Sequence, residues 1–354
     1  MSNKVLIFSD IHIHAHKRSI NRIDDCLEVL KWVLNVAKEK NIKDVLFLGD
    51  LFHDRQKIDV LVYQKTFEIF LEAQLSDNPL SIYLLIGNHD MYHRDRWDIN
   101  SVSPLNAIPG VKVIDSPETI EISGKSFDFL PHTEDPIEML HSYKGKRDYL
   151  CAHLAVDGAM LNSSGTESDV IVEHDGEMIK VDEKQFGTWD YVFLGHYHAE
   201  QKIGKNIEYI GSPLQLNFGE SFQTKHICIL DPQTGEKEYV VNNFSPRHLV
   251  ISEKEIEKYD LNKNFVRIVV EDITSSDVIE MHQQLRSESG ASSLELKPIA
   301  KKLQEHVITD AKAILYKEEE MLEKYLEDVG AGDLDKEKLL NIGKKICEES
   351  GEEE

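Results

Sequence analysis

Tyr191-Val-Phe-Leu-Gly-His-Tyr-His198 sets an apolar run against two histidines one residue apart. Tyr191–Leu194 has the pattern of a buried strand, and Gly195 allows a sharp turn out of a sheet. Two imidazoles at such an exit can converge on one point. Taken alone, the pair is equally a metal half-site, a hydrogen-bonded loop or chance in a chain with 16 histidines. What decides is whether other strands end the same way, and four do. Val5–Phe8 runs into Ser9-Asp10-Ile-His12, and Val45–Leu48 into Gly49-Asp50-Leu-Phe-His53-Asp54. Ile82–Ile86 runs into Gly87-Asn88-His89-Asp90, and Asp148–Cys151 into Ala152-His153.

Between the first three of these strands lie two helical patterns, one with Leu27, Leu30, Leu34 and Ala37 on a face, the other with Tyr63, Phe67 and Phe70. A β-α-β-α-β opening predicts an α/β fold with parallel strands under covering helices. Ligands of open α/β sheets collect at the carboxyl ends of strands, so the five loops should meet in one place. Together they offer carboxylate, amide oxygen and imidazole, a mixture suited to manganese, iron or zinc. No cysteine takes part, which counts against a structural zinc site. An isolated D-x-H is mostly noise; five metal-type motifs in order, each after a strand, point to a two-metal site.

Composition narrows the class. The 354 residues can bury a large core and leave room for smaller domains. The opening Met-Ser-Asn-Lys-Val has no basic leader before a long apolar stretch, and no run approaches membrane-spanning length, so a soluble cytoplasmic protein with no membrane association is expected. Cys26, Cys151, Cys228 and Cys347 lie far apart and are expected as reduced thiols. A formal charge of −24 argues against a general coat for nucleic acid, but leaves room for an enzyme with a local basic patch.

Further strands are expected at Ile207–Ile210, His226–Leu230 and Glu238–Val241, and from about Val111 the rhythm is of short strands with turns. Two mixed sheets packed face to face, with helices outside, accommodate both halves. A break follows Pro246. Phe265–Val270, a helix around Val278–Arg286 and Ser293–Lys297 then form a small β-α-β unit. The expected division is a catalytic domain over 1–250, a second over 251–300, and a helical acidic segment over 301–354. In that last segment Leu303, Val307, Ala311, Ile314 and Leu315 share a helical face, continued by Leu322, Tyr325 and Leu326. Beyond Val329-Gly-Ala-Gly332 a second helix carries Leu339, Ile342 and Ile346.

The series Asp10-x-His12, Gly49-Asp50, Gly87-Asn88-His89-Asp90, His153 and Gly195-His196-x-His198 resembles the calcineurin-like metallophosphoesterase superfamily over residues 1 to about 245. Within it, Gly49-Asp-Leu-Phe-His53, Ala152-His-Leu-Ala-Val-Asp-Gly158 and Gly211-Ser-Pro-Leu-Gln-Leu-Asn-Phe-Gly-Glu220 resemble the SbcD-type nucleases, bacterial and phage relatives of the meiotic recombination nuclease. The resemblance implies a four-layer αββα sandwich with a small α/β capping domain. It implies that Asp10, His12 and His198 hold one metal, that Asn88, His153 and His196 hold the other, and that Asp50 bridges them. His196 and His198 of the opening stretch would then face different ions. Manganese is the first expectation for both, with magnesium, iron(II) and zinc as alternatives. His89 would donate a proton to the leaving oxygen or contact phosphate, and His53 would position the phosphate or His89. Asp90 either orients His89 or caps the following turn. The doubled histidines after His12 and the acid at Asp54 depart from the pattern without touching these positions. His14, His16, His93, His132 and His174 are read as ordinary loop residues.

An acidic chain needs some way to hold DNA. Bases follow the metal-type loops: Lys17-Arg18 and Arg22, then Arg55 and Lys57, then Arg94 and Arg96. They are expected to form a positive rim that steers phosphate. The family resemblance implies a DNA exonuclease and endonuclease acting on duplex ends and single strands, in repair, recombination or replication. It also implies a homodimer within a heterotetramer, docked through the region after the cap onto an SbcC-type SMC-like ATPase. Residues 301–354 carry 16 acids against 9 bases, which suits a protein partner better than DNA. The alternative is a phosphodiesterase or phosphatase acting on a small nucleotide or phosphoprotein, which would need neither cap nor tail. A non-enzymatic scaffold would be expected to lack ligand positions, and here all are filled.

Overall fold

Strands buried on both faces read as unbroken apolar runs, and the fold realises those runs as the inner layers of a sandwich. The computed structural model describes residues 2–14, 20–160, 180–271 and 275–299. The chain opens with β1 (Ser2–Phe8), α1 (Ile20–Glu39), β2 (Ile42–Phe47), α2 (Val60–Gln74), β3 (Ser81–Leu85) and β4 (Val111–Ile114). It continues through β5 (Glu118–Ile122), β6 (Lys125–Leu130), α3 (Pro136–Ser142), β7 (Arg147–His153), β8 (Trp189–Gly195), β9 (Gln201–Ile203) and β10 (Ile207–Tyr209). Then follow β11 (His226–Leu230), β12 (Lys237–Val241), β13 (His248–Ser252), β14 (Phe265–Glu271), α4 (Ser275–Glu288) and β15 (Ser293–Ile299).

Two six-stranded sheets face each other. One has the order β12-β11-β1-β2-β3-β4, the other β5-β6-β7-β8-β10-β9. β1 to β4 are mutually parallel, as are β6, β7, β8 and β10; β11, β12, β5 and β9 run antiparallel to their neighbours. The period-2 alternation of a strand sorts side chains between layers. Val5 and Ile7 of β1 face the second sheet with Leu46, Phe129, Cys151 and Phe193, whereas Leu6 and Phe8 face the helices. Each such side chain contributes about 1.5–3 kcal/mol by leaving water. α1 packs through Leu27, Leu30, Leu34 and Ala37, as its periodicity predicts. The buried stripe of α2 is instead Val62, Thr66, Ile69, Phe70 and Ala73. Tyr63 and Phe67 flank it half-buried. On the far face, Leu140 of α3 and Phe186 of a 3₁₀ turn cover Leu150, Val192 and Leu194. The architecture is the four-layer αββα sandwich.

A third sheet, β13-β14-β15, is all parallel, with α4 crossing from β14 to β15. Its first strand, β13, begins at His248, so position 250 lies within a strand. Residues 300–354, including the two amphipathic faces of the tail, lie outside the described residues. Among the described residues no helix is long and apolar enough to cross a membrane. Cys26, Cys151 and Cys228 are buried free thiols.

Candidate metal centre

Beyond their last residues β1 and β2 stay zipped together. Asp10 N–H donates to the Gly49 carbonyl at 3.0 Å, His12 N–H to that of Asp50 at 3.0 Å, and Ile13 N–H to that of Leu51 at 2.8 Å. The backbone is left-handed at Asp10 (φ 54°), His12 (φ 49°) and Asp50 (φ 62°). Aspartate and histidine are among the few non-glycine residues that tolerate this region, and each instance costs about 1–3 kcal/mol. At β8 the sharp turn belongs to His196, with φ 102°, and not to Gly195. Gly195 is required for a different reason. A Cβ there would lie 2.3 Å from both the Leu48 carbonyl oxygen and Ser9 Oγ, so only glycine lets the second sheet approach the first at the site.

The five strand exits converge. Asp10, His12 and His198 bring one ligand atom each within 4.8 Å of one another, and so do Asp50, His153 and His196. His198 Nε2 faces His12 Nε2 at 3.1 Å. Two ring nitrogens sharing a cation about 2.0–2.1 Å away stand roughly 3 Å apart, so this pair has a metal-compatible separation. Asn88 Oδ1 lies 2.9 Å from His153 Nε2 and 3.0 Å from His196 Nδ1. Asp50 Oδ2 lies 3.5 Å from His12 Nε2 and 3.3 Å from His153 Nε2, between the two groups. The oxygen and imidazole donors, with no thiol, fit hard to borderline divalent ions.

Electrostatics agree with that fit. Burial holds His12 and His196 well below the usual imidazole range, so both are neutral with a lone pair to offer. Burial pulls His153 down too, but the Asp50 and Asp10 carboxylates outweigh it and push it up to about 9. A cation entering there displaces that proton. Burial likewise opposes charge on Asp50, yet the His153 and His89 imidazoles hold its carboxyl well below the usual range.

Fixed hydrogen bonds select the tautomers. His153 Nδ1–H donates to the Leu48 carbonyl at 2.7 Å, which leaves Nε2 for a ligand. His89 Nδ1–H donates to the His53 carbonyl at 2.6 Å, and its ring stacks on His53 with centroids 5.4 Å apart. What orients His89 is therefore the His53 backbone. Asp90 does something else: its carboxylate accepts N–H groups of Asp50 (2.8 Å), Gly87 (3.0 Å), Leu51 (3.0 Å) and Phe52 (3.4 Å). These bonds clamp the backbone of the Asp50 loop to that of Gly87. Burial and the Asp50 carboxylate push Asp90 up to about 7 against the pull of those donors. All four donors need an acceptor, so the geometry is that of the ionised form.

Three participants escape sequence reasoning. Glu220 and Lys225, both buried, stand behind His198. Glu220 ends the Gly211–Glu220 segment already singled out, but one acid among 64 carries no signal by itself. His132 follows β6 as the other histidines follow their strands, so the same strand-exit rule would find it. Its ring stacks near His196 with centroids 6.2 Å apart, and burial pushes its pKa down to about 3. His14 is tied to the His12 carbonyl by Nδ1–H at 2.6 Å.

The bases expected in a rim differ in exposure. Arg22 is buried: its guanidinium donates to the Gln215 carbonyl at 2.8 Å and lies 5.5 Å from the Phe265 ring centroid. It ties α1 to the third sheet and is withdrawn from the DNA-facing set. Arg55 is half-buried, and Lys57, Arg94 and Arg96 are exposed, with Arg96 3.3 Å from Asp98. Lys17 and Arg18 lie outside the described residues.

The model of the calcineurin-like phosphoesterase family matches residues 3–200. Exonuclease subunit 1 of Enterobacteria phage T4 is 26% identical over 252 residues, covering 68% of each chain. The SbcD component of the SbcCD nuclease of Escherichia coli (strain K12) is 22% identical over 282 residues, covering 68% of this chain and 67% of its own. Among solved structures, an archaeal phosphodiesterase gives a TM-score of 0.35 at 15% identity, over 68% of this chain and 99% of that one, a likeness too slight to carry any argument. With a family match over more than half its length, running from β1 through the His196–His198 exit, the chain belongs to the calcineurin-like phosphoesterases.

Proposed function

We propose that the chain is a divalent-metal DNA nuclease that hydrolyses phosphodiester bonds at DNA ends, with manganese as the working ion. In this reading it is the nuclease subunit beside an SMC-like ATPase in DNA repair, recombination or replication. The observation that carries the two-ion chemistry is the position of Asp50 Oδ2, within 3.5 Å of His12 Nε2 and 3.3 Å of His153 Nε2. Only a shared carboxylate could answer charge on both sides. The choice of DNA is supported by the nuclease names of the relatives and by the exposed bases Lys57, Arg94 and Arg96.

Asp10, His12 and His198 would hold one ion, and Asn88, His153 and His196 the other, with Asp50 between. Bound divalent ions supply a hydroxide nucleophile at neutral pH and polarise the phosphoryl oxygens. His89 has its Nδ1 committed to the His53 carbonyl, so its Nε2 is the atom that faces the leaving oxygen. For this step His89 would carry protons on both ring nitrogens: as the P–O bond breaks, the Nε2 proton passes to that oxygen, the Nδ1 proton stays on the His53 carbonyl, and the alcohol departs neutral. His53 braces the His89 ring by stacking and limits its rotation. Asp90 holds the backbone of the Asp50 loop against that of Gly87.

Cleavage of linear duplex DNA, compared with a nucleotide-type phosphodiester, both with manganese, tests the proposal. Degradation from duplex ends supports it. Turnover of the small diester with DNA left intact would favour a small-substrate phosphodiesterase.

A further inference from the structure

We infer that Glu220 is a positioning residue for His198, fixing the imidazole with Nδ1–H toward the carboxylate and Nε2 turned to one cation, while Lys225 holds Glu220 in place. This rests on the metal reading above. His198 is the ligand-type histidine whose second ring nitrogen meets a carboxylate: Nδ1 lies 3.0 Å from Glu220 Oε1. That oxygen also accepts Asn217 Nδ2–H at 3.2 Å. The other carboxylate oxygen lies 2.6 Å from Lys225 Nζ and accepts Leu216 N–H at 3.2 Å. Lys225 in turn donates to the His198 carbonyl at 2.8 Å and Ser212 Oγ at 2.9 Å. One buried ion pair thus grips both the ring and the backbone of the same histidine. An imidazole hydrogen-bonded to a carboxylate is oriented and is a stronger base toward metal, and removing such partners typically weakens metal binding by about 10–100-fold.

The grip is itself anchored from behind. Val250 N–H donates to Ser221 Oγ at 3.0 Å, and His248 N–H to Gln215 Oε1 at 2.6 Å. The Arg267 guanidinium lies 4.0 Å from the Phe218 ring centroid. Segment 211–221 is therefore held between His198 and β13–β14. The other ligand group is held by other contacts: His153 Nδ1–H donates to the Leu48 carbonyl at 2.7 Å, and His196 Nδ1 lies 3.0 Å from Asn88 Oδ1.

Equilibrium Mn²⁺ titration of the full chain, followed by electron paramagnetic resonance, tests the inference on wild type, Glu220→Gln, and the charge-neutral pair Glu220→Gln with Lys225→Met. Circular dichroism checks the fold of each. Wild type should bind two ions. Both variants should bind one as wild type does and the other about 10–100-fold more weakly. Two unchanged affinities, or an equal loss at both sites, would overturn the role of Glu220. A wild type binding no ion would overturn the metal reading itself. Should both variants unfold, nitrogen-15 spectra of the zinc-loaded wild type decide: His198 protonated on Nε2 would contradict the inference, and protonated on Nδ1 would support it.

Discussion

Replacing Asp90 with asparagine separates a structural clamp from a chemical role. The carboxylate accepts four buried backbone N–H groups, two on each oxygen. Asparagine keeps the volume but retains a single acceptor atom. Its best placement keeps the pair from Asp50 and Gly87, at 2.8 and 3.0 Å, and turns an NH₂ toward Leu51 and Phe52. Leaving a buried N–H without an acceptor costs about 1–3 kcal/mol. The Phe52 bond is long at 3.4 Å and counts for less, so a total loss of about 2–4 kcal/mol is expected. With a urea slope of about 2–3 kcal/mol/M, that is a fall of roughly 1 M in the unfolding midpoint. Because the clamped loop carries Asp50, manganese affinity should fall with it. The assay is urea unfolding with and without Mn²⁺, alongside hydrolysis of a small diester. An unchanged midpoint and metal affinity with lost hydrolysis would refute the clamp and return Asp90 to the reacting groups.

Other outcomes follow from the same geometry. His89→Ala should retain both ions by metal analysis and lose about 10²–10⁴-fold in cleavage, because a proton donor and not a ligand is removed. Exposed Arg96 holds Asp98 at 3.3 Å, an ion pair worth about 0–1 kcal/mol and readily exchanged for phosphate. Arg94→Gln with Arg96→Gln should flatten the log–log salt dependence of DNA binding by about 2 and spare hydrolysis of a small chromogenic diester. Deleting residues 301–354 should leave a folded manganese-dependent nuclease with little change in thermal midpoint, since residues 1–299 form a compact unit. The same deletion should abolish co-purification with an SMC-like ATPase.

Most inner strands were legible because burial on both faces removes polar residues from them; β6, Lys-Ser-Phe-Asp-Phe-Leu, keeps polar residues and was not. β1, β2, β3, β7 and β8 all read as apolar runs, and the functional side chains sit at their exits. β5, Glu-Thr-Ile-Glu-Ile, lies at a sheet edge and shows only alternation, so it merges with its turns. β13 follows a proline-marked break and pairs with β14 across a loop, which left its membership invisible. At the site, strand-exit logic reached Asp10, His12, Asp50, Asn88, His153, His196 and His198, but passed over His132 at the exit of β6. It could not reach Glu220 or Lys225, whose roles exist only through a fold that returns them to His198. Arg22 shows the converse. Beside other bases it looks like a phosphate contact, but its partner, the Gln215 carbonyl, is 193 residues away in sequence and draws it into the interior.

The central claim is that two ions, joined through Asp50, work on one phosphodiester. Paramagnetic resonance of the manganese-loaded protein tests it most directly, because two ions about 3.5–4 Å apart couple magnetically. The account predicts two Mn²⁺ per chain with a coupled spectrum, and loss of that coupling in Asp50→Ala together with cleavage of linear duplex DNA. A single ion per chain, or a coupled pair that survives Asp50→Ala, would contradict it.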